Sequence, residues 1–266
     1  MGKTTKSNGQ KDILDKFYTN ADIAKQCINF IDNFSTYDCI IEPSAGNGSF
    51  SSQINNCKAY DLAPEAENII QADWLSLDKT IFNSYNNILV IGNPPFGQQN
   101  NLAIEFFNES AKFANTIAFI LPLSFKKESV QMRLNNLFHL RKEYILNTNS
   151  FTLNGIAYNV PCVFQIWDKT NEARQIKTNM VKNCPFIFTN KANADFRIQR
   201  VGGNAGKASL DLNRSEQSNY FVKMIDNSIT VEDMIIKINN TIFPSINYTV
   251  GPKSLSKSEL LNTLFN

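Results

Sequence analysis

The stretch Tyr37-Asp38-Cys39-Ile40-Ile41-Glu42-Pro43-Ser44-Ala45-Gly46-Asn47-Gly48-Ser49-Phe50 decides how the rest of the chain is read. Its first part is short, apolar and β-branched, which predicts a buried strand. An acid closes that strand, and a turn with glycines at 46 and 48 follows. Glycine permits positive φ and lets the backbone pass close beneath a ligand. The turn is not G-x-G-x-x-G, because Phe50 and Ser51 stand where a third glycine would be. Nor is it a phosphate loop, since no Gly-Lys-Ser/Thr closes it. A ligand without a pyrophosphate suits it better. The plain alternative is an ordinary strand–turn–helix with no ligand.

Working outward, Lys58-Ala59-Tyr60-Asp61 reads as a second strand ending in an acid, and Ile69-Ile70-Gln71-Ala72-Asp73 as a third. Asn87-Ile88-Leu89-Val90-Ile91-Gly92 is a fourth and leads into Asn93-Pro94-Pro95-Phe96. Apolar residues recur at helical spacing over residues 12–33 and 102–113, and residues 127–138 read as another helix. Thr19 or Asn20 is a cap candidate within the first of these. Residues 116–121 form a fifth apolar run, and residues 143–146 and 162–167 read as two closing strands joined by a polar loop over 147–161. Continuous apolar strands alternating with helices predict an α/β fold, a parallel sheet covered on both faces. The closing pair predicts one antiparallel edge strand. After about Lys169 the texture changes. Residues 170–266 are expected to form a small α+β appendage, with strands near 186–188 and 220–225 and a tail helix near 254–265. Residues 1–11 read as a loose polar tail, and residues 12–169 as the main domain.

The chain has 266 residues, 42% apolar and 19% charged, so a packed core is expected and wholesale disorder is excluded. No run approaches the ~18 apolar residues of a membrane span, and the N-terminus does not read as a signal peptide. Five scattered cysteines without a C-x-x-C pair point to reduced thiols rather than disulfides or a zinc site. A soluble intracellular protein with no metal and no membrane partner is the expectation. Net charge is only +2, but residues 169–223 carry 10 basic against 4 acidic residues. That surplus is either a footprint for a polyanion or a solvated face.

Asn93-Pro94-Pro95-Phe96 is the sharpest feature. Two prolines fix φ and remove two N–H donors. The turn therefore offers carbonyl oxygens and one amide side chain, followed by an aromatic face. Such an acceptor-rich turn suits an exocyclic amine. If the Asn93 side-chain oxygen and the Pro94 carbonyl accept its two hydrogens, the nitrogen lone pair localises toward a methyl donor. Phe96 can stack on the ring that carries the amine, a contact worth ~1–3 kcal/mol.

With these two motifs in this order, the chain resembles the adenine-N6 DNA methyltransferases that use S-adenosyl-L-methionine. The resemblance covers about residues 12–167 and implies a Rossmann-like fold with a mostly parallel seven-stranded sheet and helices on both faces. It implies that Glu42, Pro43, Ser44, Ala45, Gly46, Gly48 and Phe50 form the cofactor motif, and that Asn93, Pro94, Pro95 and Phe96 form the catalytic motif in its Phe form. Asp15-Lys16-Phe17-Tyr18-Thr19 is similar to the segment that closes over the methionine end of the cofactor, which assigns Lys16, Phe17, Tyr18 and Thr19. Asp61 matches the acid expected at the ribose hydroxyls, and Asp73 with Trp74 the pair expected around the adenine ring. The remainder after the sheet corresponds to a target-recognition region, small for its kind.

Other residues read less sharply. Lys126 and Lys127 follow the fifth strand and either touch a phosphate or open a solvated helix. Arg200 and Lys207 flank a glycine-rich loop that either follows a nucleic-acid backbone or is a linker. His139, the single histidine, reads as a surface or cap residue. The implied reaction is methyl transfer to the N6 amine of adenine in DNA, on a flipped or single-stranded base. The alternatives are an RNA adenine methyltransferase, a protein-glutamine methyltransferase, and a non-catalytic nucleic-acid-binding subunit of the same fold.

Overall fold

The apolar runs between Cys39 and Pro122 make the parallel part of a seven-stranded sheet. The computed structural model of the chain describes residues 18–147, 150–153, 156–158, 160–175, 184–249 and 251–265. The strands are β1 (Cys39–Glu42), β2 (Lys58–Asp61), β3 (Ile69–Gln71), β4 (Ile88–Gly92), β5 (Thr116–Pro122), β6 (Phe138–Ile145) and β7 (Cys162–Lys169). They pair in the order β3-β2-β1-β4-β5-β7-β6. Pairing is parallel from β3 to β5, and β7 runs antiparallel to both β5 and β6. The fold is Rossmann-like α/β. The antiparallel strand lies one place in from the edge, not at it as the sequence suggested. β6 takes the edge and again runs parallel to β5.

Alternation along the strands buries both faces. Leu89, Ile91, Ala118, Ile120, Phe164 and Ile166 pack on one face with Ala24 and Cys27 of helix α1 (Ala21–Asn29). Phe119 and Trp167 point the other way and meet Phe107 of helix α2 (Asn101–Ser110), with ring centroids 6.5 and 5.6 Å apart. Neighbours in a strand face opposite sides, so a fully apolar run requires a layer on each side. Asn20 caps α1 by accepting from the Asp22 N–H.

Several elements depart from expectation. The helix expected over 127–138 is only a short turn, Glu128–Gln131, and β6 starts at Phe138 instead of near 143. The Asn108 side chain accepts from the Asn135 N–H, and the Asn135 side chain from the Leu137 N–H. These local bonds divert backbone groups a helix would need. The loop expected over 147–161 holds a ribbon, Phe151–Leu153 against Ile156–Tyr158, which pairs with Tyr18–Thr19. Tyr18 and Thr19 are thus strand, not helix. The expected tail over 1–11, with Lys16 and Phe17, lies outside the described residues.

The described residues fall into two compact units, one within 1–122 and 133–174, the other within 123–132 and 175–266. The second unit is an antiparallel sheet of β8 (Phe186–Thr189), β9 (Phe196–Gln199), β10 (Ala208–Ser209) and β11 (Asn219–Met224), ordered β8-β11-β9-β10. Helices α3 (Val231–Asn240) and α4 (Lys257–Phe265) cover it through Met234, Ile238, Leu260 and Leu264. Between Phe196 and Ile198, Arg197 lies on the reverse face, where its guanidinium donates to the Asp211 carbonyl and the Asn219 side chain.

Candidate active site

A cleft of about 480 Å³ opens in the first unit at the carboxyl ends of the parallel strands, within the usual range for ligand sites. Its walls include both turns singled out in the sequence, residues 43–47 after β1 and residues 93–96 after β4.

The first turn is fixed by two acids, Glu42 buried and Asp61 half-buried. Glu42 is 2% exposed, and its carboxylate accepts from the Ser51 N–H at 2.8 Å. Burial pushes its pKa up to about 8, against the opposing pull of hydrogen bonds from Ser51 and Phe50. Asp61, at the end of β2, accepts from the Gly46 N–H at 2.7 Å and from the Ala63 N–H at 2.8 Å. Hydrogen bonds to a charged acceptor are worth about 1.5–3 kcal/mol each. Asp61 therefore locks the glycine turn to the next loop while lining the cleft. Gly46 has φ +54°, and a Cβ there would lie 3.2 Å from the Tyr18 ring. The Tyr18 hydroxyl in turn bonds Glu65, whose N–H donates to the Gly46 carbonyl. Thr19 is held through its carbonyl by the Ser49 hydroxyl at 2.7 Å. Tyr18 and Thr19 thus close one side of the cleft over the glycine turn.

Asp73 is exposed and lines the cleft, its carboxylate accepting from the Leu75 N–H and the Ser76 hydroxyl. Trp74 behaves differently from the sequence expectation. Its indole is 1% exposed and packs with Tyr60, Phe82 and Phe113, at centroid distances of 6.0, 6.3 and 5.9 Å. The ring is thus packed into the core and still forms part of the cleft wall. Leu62, 55% exposed, and Leu75 are the flexible apolar side chains lining the cleft in that region. Phe50 is also core, 1% exposed and packed with the α1 cluster. Gly48 shapes the turn without lining the cleft.

The second turn sits beside the first. The Ser44 hydroxyl donates to the Asn93 backbone carbonyl at 3.1 Å. Pro94 is buried, while Asn93, Pro95 and Phe96 are half-buried and face the cleft. Gly97 then turns with φ +66°, and a Cβ there would meet Leu102 at 2.8 Å, so α2 packs directly under the turn. The Phe96 carbonyl accepts from the Ala103 N–H at 3.4 Å.

The residues assigned to the cleft from sequence and found there are Tyr18, Thr19, residues 42–46, Asp61, Asp73 and residues 93–96, with Trp74 in the wall. Asn47 and Ser49, within the quoted glycine-turn segment but given no role there, also line the cleft, and the sequence reading missed Leu62, Ala63, Ala72, Leu75, Leu102 and Phe106. Leu62 and Leu75 each follow an acid by one or two positions, and that adjacency was the available signal.

The four basic residues singled out all lie in the second unit. Lys127 is not available to a phosphate. It is 7% exposed, its ammonium donates to the Ser254 carbonyl at 2.8 Å, and Glu259 lies 3.7 Å away. Burial lowers its pKa. Lys126 stacks over Tyr248 at 5.6 Å. Lys207 donates to the Asn239 carbonyl, and neighbouring Ala205 is buried, so the glycine-rich loop is packed rather than a free linker. Arg200 lies over the Tyr220 ring. Among the described residues no cluster of three potential metal ligands occurs, and no helix is long and apolar enough to cross a membrane.

No protein-family model matches the sequence. Protein ENHANCED DOWNY MILDEW 2 of Arabidopsis thaliana is 22% identical over 186 residues, which cover 65% of this chain and 14% of that protein. The chain therefore corresponds to a small part of that relative's length. Among solved structures, a candidate RNA methyltransferase from Pyrococcus horikoshii aligns with TM-score 0.47 at 15% identity, over 61% of this chain and 90% of its own. A Thermoplasma acidophilum protein aligns with TM-score 0.43 at 18% identity, over 58% and 89%. The 23S rRNA methyltransferase ErmE aligns with TM-score 0.38 at 14% identity, over 59% and 71%.

Proposed function

We propose that this chain transfers a methyl group from S-adenosyl-L-methionine to the exocyclic N6 amine of adenine in nucleic acid, with DNA as the substrate its motif order favours. The observation that carries this reading is the shared cleft. The glycine turn and the Asn93-Pro94-Pro95-Phe96 turn line one cavity and are linked by the Ser44–Asn93 bond.

The cleft suits the cofactor. The Gly46 turn gives close backbone approach, Asp61 and Asp73 offer carboxylate oxygens to ribose hydroxyls and an adenine edge, and Leu62 and Leu75 offer apolar cover for a ring. Tyr18 and Thr19 close the end near Gly46, where the methionine part belongs. When bound, the sulfonium supplies an electrophilic methyl group.

The chain's own work is to place and prepare the amine. An adenine amine is a weak nucleophile because its lone pair is delocalised into the ring. The Asn93 side-chain oxygen and the Pro94 carbonyl accept its two hydrogens and draw the nitrogen toward tetrahedral geometry. Phe96 stacks on the base and holds it in line, so the gain is one of positioning and pre-organised acceptors. The surplus proton leaves to solvent after transfer, so no general base is needed. A paired base cannot enter such a cleft; it must be flipped out or already unpaired. The second unit, with 13 basic against 8 acidic residues, is the nucleic-acid-binding part in this reading.

RNA adenine is the second reading, because nothing in the Asn-Pro-Pro-Phe turn itself senses a ribose 2′-hydroxyl. The test is incubation with methyl-labelled cofactor and duplex DNA, single-stranded DNA or RNA, followed by identification of the modified nucleoside. N6-methylated adenine is the expected product. Label on glutamine, or on no substrate despite cofactor binding, overturns the proposal.

A further inference from the structure

The second unit has a recess of its own, about 240 Å³, walled by Phe188 of β8, Tyr220 of β11, Arg200 and Lys257. The two rings meet edge to face with centroids 5.4 Å apart. The Lys257 ammonium lies 4.4 Å from the Phe188 centroid and 5.6 Å from that of Tyr220. The Arg200 guanidinium lies 5.5 Å from the Tyr220 centroid. Neither cation has a carboxylate oxygen within ion-pair distance among the described residues, although Glu216 stands on the same rim.

The scaffold around the recess is fixed. The Arg200 N–H donates to the Ser218 carbonyl, the Arg200 carbonyl accepts from Leu255, and its guanidinium donates to the Gln217 carbonyl at 3.0 Å. The Tyr220 hydroxyl donates to the Leu255 carbonyl at 3.0 Å, which leaves the ring and not the hydroxyl to face a ligand. The Arg200 Nε is buried and makes no hydrogen bond among the described residues.

We infer that this recess holds one unpaired nucleotide of the substrate strand, its phosphate between Arg200 and Lys257 and its base against the Phe188 ring. Two cations that rest on rings instead of carboxylates retain their attraction for an anion. Arg and Lys with exposed aromatic faces are the groups that grip single strands. A paired base would keep its faces stacked and could not reach a recessed ring, so the site selects unpaired over duplex segments. The inference deepens the proposed function but concerns a site that need not touch the reacting adenine.

The test uses the full chain and fluorescein-labelled oligothymidylate and oligouridylate of about twelve nucleotides, within the span that single-strand sites cover. Neither probe contains adenine, so binding does not depend on the catalytic cleft. Lys257→Gln and Arg200→Gln are each expected to weaken binding about ten-fold at low salt. Each should also flatten the salt dependence by about 0.7 per lost phosphate contact. Phe188→Leu should weaken binding about five-fold or more without changing the salt slope. Glu216→Gln should tighten it. Lys237→Gln, an exposed cation over Phe265 outside the recess, should change nothing. Lys257 is exposed, so its variant is expected to fold even if the Arg200 variant does not. Binding of either strand through these residues upholds the inference, and the tighter strand names the sugar. Wild-type affinity in Lys257→Gln and Phe188→Leu overturns it, as does a phosphotyrosyl peptide bound through these residues when neither oligonucleotide binds. Wild-type binding in these variants beside methylation lost in Asn93→Ala removes the recess and leaves the methyl-transfer reading standing. The converse pattern does the reverse.

Discussion

The Ser44 hydroxyl holds the Asn93 backbone carbonyl at 3.1 Å, joining the turn after β1 to the turn after β4 across the cleft. One side chain thereby ties the glycine turn to the Asn93-Pro94-Pro95-Phe96 turn. Ser44→Ala removes a bond worth about 1 kcal/mol in stability. The larger expected effect is on kcat, several-fold down, with cofactor affinity changed less. Ser44→Thr, which keeps the hydroxyl, should recover most of the rate. Equal losses in affinity and kcat would show that the bond only shapes the cofactor turn.

Asn93 separates binding from chemistry. In the proposed mechanism its side chain accepts from the amine and not from the cofactor, so Asn93→Ala should lower turnover by about 10²-fold or more, the scale of a lost pre-organised polar contact. Cofactor affinity by calorimetry should stay close to wild type. Methylation at the wild-type rate would remove the acceptor mechanism.

Asp61 and Asp73 both line the cleft but differ in what else they do. Asp61 accepts two backbone N–H groups, from Gly46 and Ala63, so Asp61→Ala should weaken cofactor binding and destabilise the fold by about 2 kcal/mol. Asp73 is exposed and ties only a local turn, so Asp73→Ala should weaken cofactor binding with little change in Tm. Calorimetric titration beside thermal melts distinguishes the two. Unchanged affinity in Asp73→Ala would leave it a turn residue only.

Both turns of the site were legible because their chemistry is local: glycines after an apolar strand, then two prolines after another. The sheet was legible for the same reason, since apolar runs between breakers name their own burial. What the sequence concealed depends on distant partners. Lys127 looked like a free cation because nothing near it in the chain announces Ser254 and Glu259. Trp74 lines the cleft as expected, but nothing near it in the chain announces that Tyr60, Phe82 and Phe113 pack its ring into the core. The start of β6 was hidden because Leu134, Leu137 and Phe138 mimic a helical stripe, while the decisive bonds run from Asn108 and Asn135. Helix α3 was missed although Thr230 and Asp233 form a readable start, the Thr230 side chain accepting from the Asp233 N–H.

Lys127 carries a stability prediction. It is a buried cation whose partners all lie in the second unit, so Lys127→Ala leaves the Glu259 carboxylate buried without its counter-charge. Breaking such a pair costs about 3–5 kcal/mol. Lys126→Ala, at a half-buried cation over Tyr248, should cost less than about 1 kcal/mol. Hydrogen exchange in residues 184–265 should report the difference. Equal protection in the two variants would contradict the buried pair.

Glu42 makes stability depend on pH in the direction opposite to an ordinary carboxylate. Burial raises its folded pKa to about 8, whereas an unfolded Glu titrates near 4.5. Between those values the folded chain holds a proton that the unfolded chain has released, so its contribution is full below about pH 4.5 and is lost as pH rises toward about 8. Wild-type Tm, corrected for other groups by comparison, should therefore decline across this window and level off above it. Glu42→Gln retains an oxygen for the Ser51 N–H but cannot ionise, so its Tm should exceed that of wild type at pH 8.5 more than at pH 5. A difference between the two proteins that does not vary with pH would mean that the carboxylate is ionised in the fold throughout, held by the Ser51 and Phe50 amides against the cost of burial.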